Sequence, residues 1–173
     1  MTGRREKKMQ DDAAARSVLS PTLDPFDRAI LAILQRNNRT PQHEIGARVN
    51  LSAAAVQRRI RRMEERGVIR ANTAVLDPAK VGRPVTLIVG VEVDSERADW
   101  LAATRTRLAE APEVQQCYYV TGDVDFILVI SAASMAEYEA ISHRLFREDA
   151  NVRRFRTFVV MSSPKATLEV PLA

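Results

Sequence analysis

The apolar residues of this chain change period at Gly82-Arg83-Pro84, and that change limits what the chain can fold into. Before the break they recur every three or four residues, as one face of a helix requires. After it, Val85, Leu87, Val89, Val91 and Val93 recur every second residue, as one face of a strand requires. A single helical bundle and a single all-β domain are both excluded. With 173 residues the chain is long enough for two small domains, and at 46% hydrophobic and 28% charged it is neither disordered throughout nor fibrous.

The two sides of the break also differ in charge. Residues 1–84 hold 17 Lys or Arg against 9 Asp or Glu, whereas residues 85–173 hold 9 against 13. A basic half joined to an acidic half suggests that the first meets a polyanion and the second does something else.

Residues 1–22 have few large apolar groups and no usable period, so they read as a flexible basic tail. Three helix signals follow over 23–69. Asp24-Pro25 supplies a cap and a first turn, with Phe26, Ile30, Ile33 and Leu34 at helical spacing. Thr40-Pro41 repeats the signal for a short helix that carries Ile45 and Val49 and stops near Asn50, a residue that tolerates the left-handed conformation. Ser52 caps a third helix, with Val56, Ile60 and Met63 on one stripe and a stop at Gly67. Residues 70–84 read as a linker with one β-strand.

From Val85 the order is β-α-β-β-α-β, the ferredoxin-like unit, over 85–165, followed by a tail over 166–173. The strand from Val85 also carries Thr86, Ile88 and Gly90, so it is expected to be covered on both faces. A helix from about Glu96 to Glu110 is expected to turn Trp100, Thr104 and Leu108 inward. A hairpin joins Val114–Val120 to Phe126–Ser131. Ser134-Met-Ala-Glu137 is a capping box for a helix with Tyr138, Ile141 and Leu145 inward, and Val152–Met161 supplies the last strand. Two helices cover one face of such a sheet. The other, bare and apolar, is expected to find a second copy and form a homodimer.

The third helix carries the chemistry. At about 100° per residue its apolar stripe lies opposite Ala54, Ala55, Arg58, Arg61 and Arg62. Small alanines let the backbone approach a groove, and arginines bond phosphates or guanine edges. With the short helix before it, this is a helix-turn-helix. The candidate contacts to double-stranded DNA are Ser52, Ala54, Ala55, Gln57, Arg58, Arg59, Arg61 and Arg62. Arg59 lies nearer the packed flank, where Asp27 or Glu64 could pair with it.

Other chemistries find little support. His43, His143 and the single Cys117 make neither a metal site nor a nucleophile-base pair, so no catalytic residue, metal or cofactor is expected. Tyr118 and Tyr119 are adjacent on a strand and face opposite ways, so core packing accounts for them better than an RNA-stacking platform. No apolar run approaches the ~20 residues of a membrane span. The start Met1-Thr-Gly-Arg-Arg-Glu-Lys-Lys lacks a secretory signal, and a cytoplasmic location is expected. The rival reading is a metabolite-sensing or protein-protein adaptor that binds no DNA, which would leave the basic helix unused.

Leu23-Asp-Pro-Phe-Asp-Arg-Ala-Ile-Leu, Asn50-Leu-Ser and Arg58-Arg-Ile-Arg-Arg-Met-Glu-Glu-Arg-Gly-Val-Ile resemble the Lrp/AsnC transcriptional regulators. Val120-Thr-Gly-Asp-Val-Asp-Phe and Arg156-Thr-Phe-Val-Val-Met are similar to that family's effector-domain signatures, so the likeness runs from Leu23 to Lys165. It implies a winged-helix-like DNA-binding domain and a RAM/ACT-like effector domain that senses an amino acid or related metabolite in homodimers, often assembled as tetramers or octamers. It also implies effector contacts at Thr121, Gly122, Asp123, Asp125 and Thr157. The chemistry agrees with the loop, since glycine admits a ligand carboxylate to backbone N–H groups and a carboxylate holds an ammonium group. Read alone, without that resemblance, Gly122-Asp123 is better explained as turn chemistry. Val124, Ala53 and Asn50 depart from the family pattern, standing where an aromatic, a proline and a glycine are common.

Overall fold

A computed structural model describes residues 23–95 and 97–172. The tail expected over 1–22 and the helix start expected at Glu96 lie outside them. The described residues form two units. One comprises those up to Ala74 together with those from Thr167 on, and the other runs Val75–Ala166.

Helix α1 spans Pro25–Arg36 and starts in a capping box. The Asp24 carboxylate accepts from the Asp27 N–H at 2.8 Å and Asp27 accepts from the Asp24 N–H at 3.4 Å, while Pro25 loses no donor in the first turn. Helix α2, Gln42–Val49, begins after Pro41 without a side-chain cap, because the Thr40 hydroxyl donates to Asn37 O instead. It ends at Asn50 in the left-handed conformation, φ 54 and ψ 45. Helix α3, Ala53–Glu65, is capped by the Ser52 hydroxyl, which accepts from Ala55 N–H at 3.2 Å. Ile30, Leu31, Ile45, Val49, Val56 and Met63 make the core of the three helices.

The tight α2–α3 turn rests on a residue that the sequence reading passed over. A methyl group on Gly46 would lie 2.3 Å from the carbonyl oxygen of Leu51, whose N–H donates to Gly46 O at 3.0 Å. Only glycine allows the two backbones this close.

The strand expected in the linker is absent: residues 70–76 carry no regular structure, and Val75 and Leu76 are exposed. Strand-forming side chains do not make a strand without a neighbour for their N–H and C=O groups, and no described strand pairs with them. A short turn, Ala79–Val81, follows, and Arg83 then donates to Ser131 O and Glu137.

The second unit has strands β1 Val85–Val93, β2 Val114–Tyr119, β3 Phe126–Ala132 and β4 Val152–Val159, with helices α4 Ala98–Glu110 and α5 Met135–Ser142. The sheet is antiparallel in the order β2-β3-β1-β4, the ferredoxin-like arrangement. Leu87, Val89, Val91, Phe126, Leu128 and Ile130 face Leu108, Tyr138, Ile141, Leu145 and Phe146 from the helical side. Ser134 caps α5 as expected, but Glu137 closes no box with it and instead accepts from Ala133 N–H and Arg83. A turn of π geometry, His143–Arg147, follows α5, and the Arg107 guanidinium donates to Leu145 O within it. Buried Asn151 joins three segments: its side chain accepts from Ser95 N–H and donates to Ser95 O and the Thr104 hydroxyl.

Three packing expectations are corrected. β1 is covered along its whole length on one face only, because both helices lie on the same side of the sheet; on the other face Ile88 is 40% exposed, while Gly90 is buried beneath Val124. Trp100 is 43% exposed: of the four-residue series on α4, Thr104 and Leu108 meet the sheet side and Trp100 does not. Tyr118 and Tyr119 are both exposed, Tyr118 on the bare face opposite Ile127 and Tyr119 against Phe126 with ring centroids 5.3 Å apart.

Gly46→Ala is expected to lower the stability of the helical unit by about 1–3 kcal/mol, the usual range for forcing atoms into a filled space. Urea unfolding followed by circular dichroism checks it.

Candidate DNA interface and effector loop

The basic helix divides into two sets of arginines. Asp27, 1% exposed, sits beneath α3 and accepts from Arg59 Nη1 at 2.8 Å and from Arg62 Nη2 at 2.9 Å. Arg59 also reaches Asp24 at 2.5 Å and lies over the Phe26 ring, 5.4 Å from its centroid. Arg59 is therefore removed from the expected DNA-facing set. Its guanidinium is spent on α1, because position 59 falls on the flank of α3 that meets that helix. Of the two partners considered for it, Asp27 is the real one, while Glu64 accepts from Asn72. Arg62 is shared, tied to Asp27 yet about half exposed.

Of the other expected DNA-facing residues, Ser52, Ala54, Gln57, Arg58 and Arg61 are exposed and Ala55 is half-buried. Arg61 pairs with Glu65 at 2.9 Å one turn on, a solvent-screened contact that a phosphate can displace. The capping chemistry matters here too. The N–H of Asp27, and after it Arg59, hold the Asp24 carboxyl below its usual range, and the same contact pushes Arg59 up. The Asp24–Arg59 pair thus stays ionised through neutral pH.

In the second unit the five effector candidates separate. Thr121, Gly122 and Asp123 stand exposed at the tip of the β2–β3 hairpin, with Gly122 at φ 130, a backbone region that other residues avoid. Asp125 anchors the loop: its Oδ2 accepts from Val93 N–H at 2.9 Å and its own N–H donates to Val91 O at 2.9 Å. Thr157 is likewise engaged, its hydroxyl bonded to Tyr138 OH on the helix-covered side of the sheet, in register with buried Val89. Strand alternation puts it there.

Two further residues shape the loop. Val124 lies against Gly90, where an added Cβ would come 3.1 Å from Val124 Cγ1, so the hairpin folds onto β1 through a side chain that glycine makes room for. The Gly90 position was legible as a gap in the alternation of β1. Cys117 is half-buried and burial pushes its thiol up, which leaves it protonated and a poor nucleophile at neutral pH. Among the described residues no three His, Cys, Asp or Glu side chains are grouped to hold a metal, and no helix is long and apolar enough to cross a membrane.

Asp27→Asn is expected to cost about 3 kcal/mol, the low end for breaking a buried ion pair, since both arginines keep contact with water; chemical unfolding measures it. Asp24 adds a pH dependence. Its folded value is depressed, so its stabilisation is complete above the unfolded carboxyl value of 3.8 and fades as pH falls through the lower folded one. Acid titration should show the helical unit of Asp24→Asn losing less stability below pH ~4 than the parent protein does.

Residues 23–70 match the winged helix-turn-helix DNA-binding family and residues 86–170 the Lrp/AsnC ligand binding domain. An uncharacterized HTH-type transcriptional regulator of Sinorhizobium fredii is 42% identical over 95% of this chain and 99% of its own length. The crystal structure of an AsnC family transcriptional regulator from Agrobacterium tumefaciens superposes with a TM-score of 0.81 at 36% identity, covering 86% of this chain and 97% of that one. A feast or famine regulatory protein from M. tuberculosis, in complex with L-methionine, gives 0.78 at 30% identity, covering 86% and 99%. With a helix-turn-helix whose basic face is open and a ferredoxin-like unit following it in the chain, both matched at this level along nearly the whole chain, this protein belongs to the Lrp/AsnC family of transcriptional regulators.

Proposed function

We propose that this regulator reads duplex DNA with the exposed face of α3 and that its second unit binds an amino acid or related small metabolite through the hairpin tip. The observation that carries the DNA reading is the sorting of arginines. Asp27 takes Arg59 and part of Arg62, while Arg58 and Arg61 stay exposed beside Gln57 and the small residues at the helix start. Ser52, Ala54 and Ala55 let the backbone close on the groove, Arg58, Arg61 and the free side of Arg62 meet phosphates or bases, and Arg59 aims the helix.

For the effector, Thr121, Gly122 and Asp123 are the residues with free polar groups, and Asp125 supports the loop from within. The relative from M. tuberculosis was crystallised with L-methionine, which supports an amino acid as the class of ligand. Nothing in this assignment calls for catalysis or a cofactor, and the protein acts in the cytoplasm, where the chromosome is. The bare sheet face, with Ile88 40%, Tyr118 50% and Phe158 60% exposed, is the surface on which two copies pair. Two recognition helices then meet half-sites a whole number of helical turns apart. Effector binding shifts the further assembly of dimers into tetramers or octamers, and linkage carries that shift to DNA affinity.

Filter binding to genomic duplex fragments tests the first reading. Arg58→Ala and Arg61→Ala should each weaken retention and lower the slope of log affinity against log salt by about 1, as loss of one phosphate contact requires. Neither should change stability by more than about 0.5 kcal/mol. Retention that is absent in the parent protein would favour the adaptor reading. Phe158→Glu should convert dimer to monomer in light scattering while leaving the circular dichroism spectrum intact.

A further inference from the structure

The residues from Thr167 to Leu172 group with the DNA-binding unit, although they follow β4, the last strand of the other unit. The chain therefore joins the two units twice, once through the linker after Ala74 and once through residues 160–166. Gln35, exposed near the end of α1, makes the second attachment. Its Nε2 donates to Val170 O at 3.0 Å and its Oε1 accepts from Val170 N–H at 2.7 Å. One carboxamide thus makes both bonds that a neighbouring strand would make to residue 170, and a slip of the segment by one residue loses both. Leu172 packs against the helical core, and Arg36 Nε lies 3.8 Å from Glu169.

We propose that Thr167–Leu172, the segment that follows the effector unit in the chain, is a releasable strap docked on α1. Its bonds are few and of a kind that readily lets go. The Gln35 pair is open to water, the Arg36–Glu169 contact is long and solvent-screened, and one leucine supplies the apolar part. Docked and free forms therefore lie close in free energy, and a ligand that favours either one shifts the population. A docked strap gives the DNA-binding unit two tethers in place of one and cuts the freedom it must lose when it settles on DNA. This part rests on the DNA-reading function proposed above; the docking itself does not.

The test uses the full chain, the Gln35→Ala variant and a chain ending at Ala166. Amide hydrogen exchange should speed up at least tenfold in the last turn of α1 in both altered forms, while β1–β4 keep their rates. Unchanged exchange at Ile33–Arg36 in both would overturn the docking. Affinity for duplex DNA should fall several-fold in both forms. Faster exchange with unaltered affinity would overturn the role of the strap in DNA binding. Should the parent protein retain no DNA at all, the proposed function fails, and the exchange result still decides whether the strap docks.

Discussion

The helical unit turns on one buried carboxylate. Asp27 closes the capping box at the start of α1 and, from the same position, holds Arg59 and Arg62 of α3. An unpaired carboxylate that deep would be expensive, so α3 is held where its arginines satisfy it. The packed stripe of Val56 and Met63 alone would let α3 rotate or slide, since apolar contact is non-directional; the guanidinium bonds fix its angle. Gly46 and Asn50 complete the arrangement by allowing α2 to end within a few residues of the Ser52 cap.

The same economy explains the divided charge on α3. A helix that is basic all round would repel itself and carry no orientation. Here one flank is neutralised by Asp24 and Asp27, and the cation–π contact of Arg59 with Phe26 anchors that flank further. The opposite flank leaves Arg58 and Arg61 exposed. In the second unit the division is between the two faces of a sheet, one sealed by α4 and α5 and the other left with Ile88, Tyr118 and Phe158 in water.

Much of the fold was legible in the residues. Helix starts at Asp24-Pro25 and Ser52, the stop at Asn50 and the β-α-β-β-α-β order follow from local chemistry and period, which act over a few residues and need no partner. The linker strand was not, because Val75 and Leu76 have strand-forming side chains but no neighbouring strand among the described residues. Trp100 shows the same limit, since helical spacing predicts which residues share a stripe but not how wide a stripe the sheet will cover. For the candidate sites, the sequence singled out one helix and one loop by residue type. It could not say which groups were already engaged.

Sequence by itself determined the elements, the split of charge at Pro84 and the residue types on α3 and at the β2–β3 hairpin. Tertiary structure decided that Arg59 and Asp125 serve the fold, that Thr157 bonds Tyr138, that Gly90 makes room for Val124, and that Gln35 grips Val170 from 135 positions away. The reason is range. Caps and periodicity are set by neighbours along the chain, whereas a side chain's partner is set by which distant segment packing brings to it.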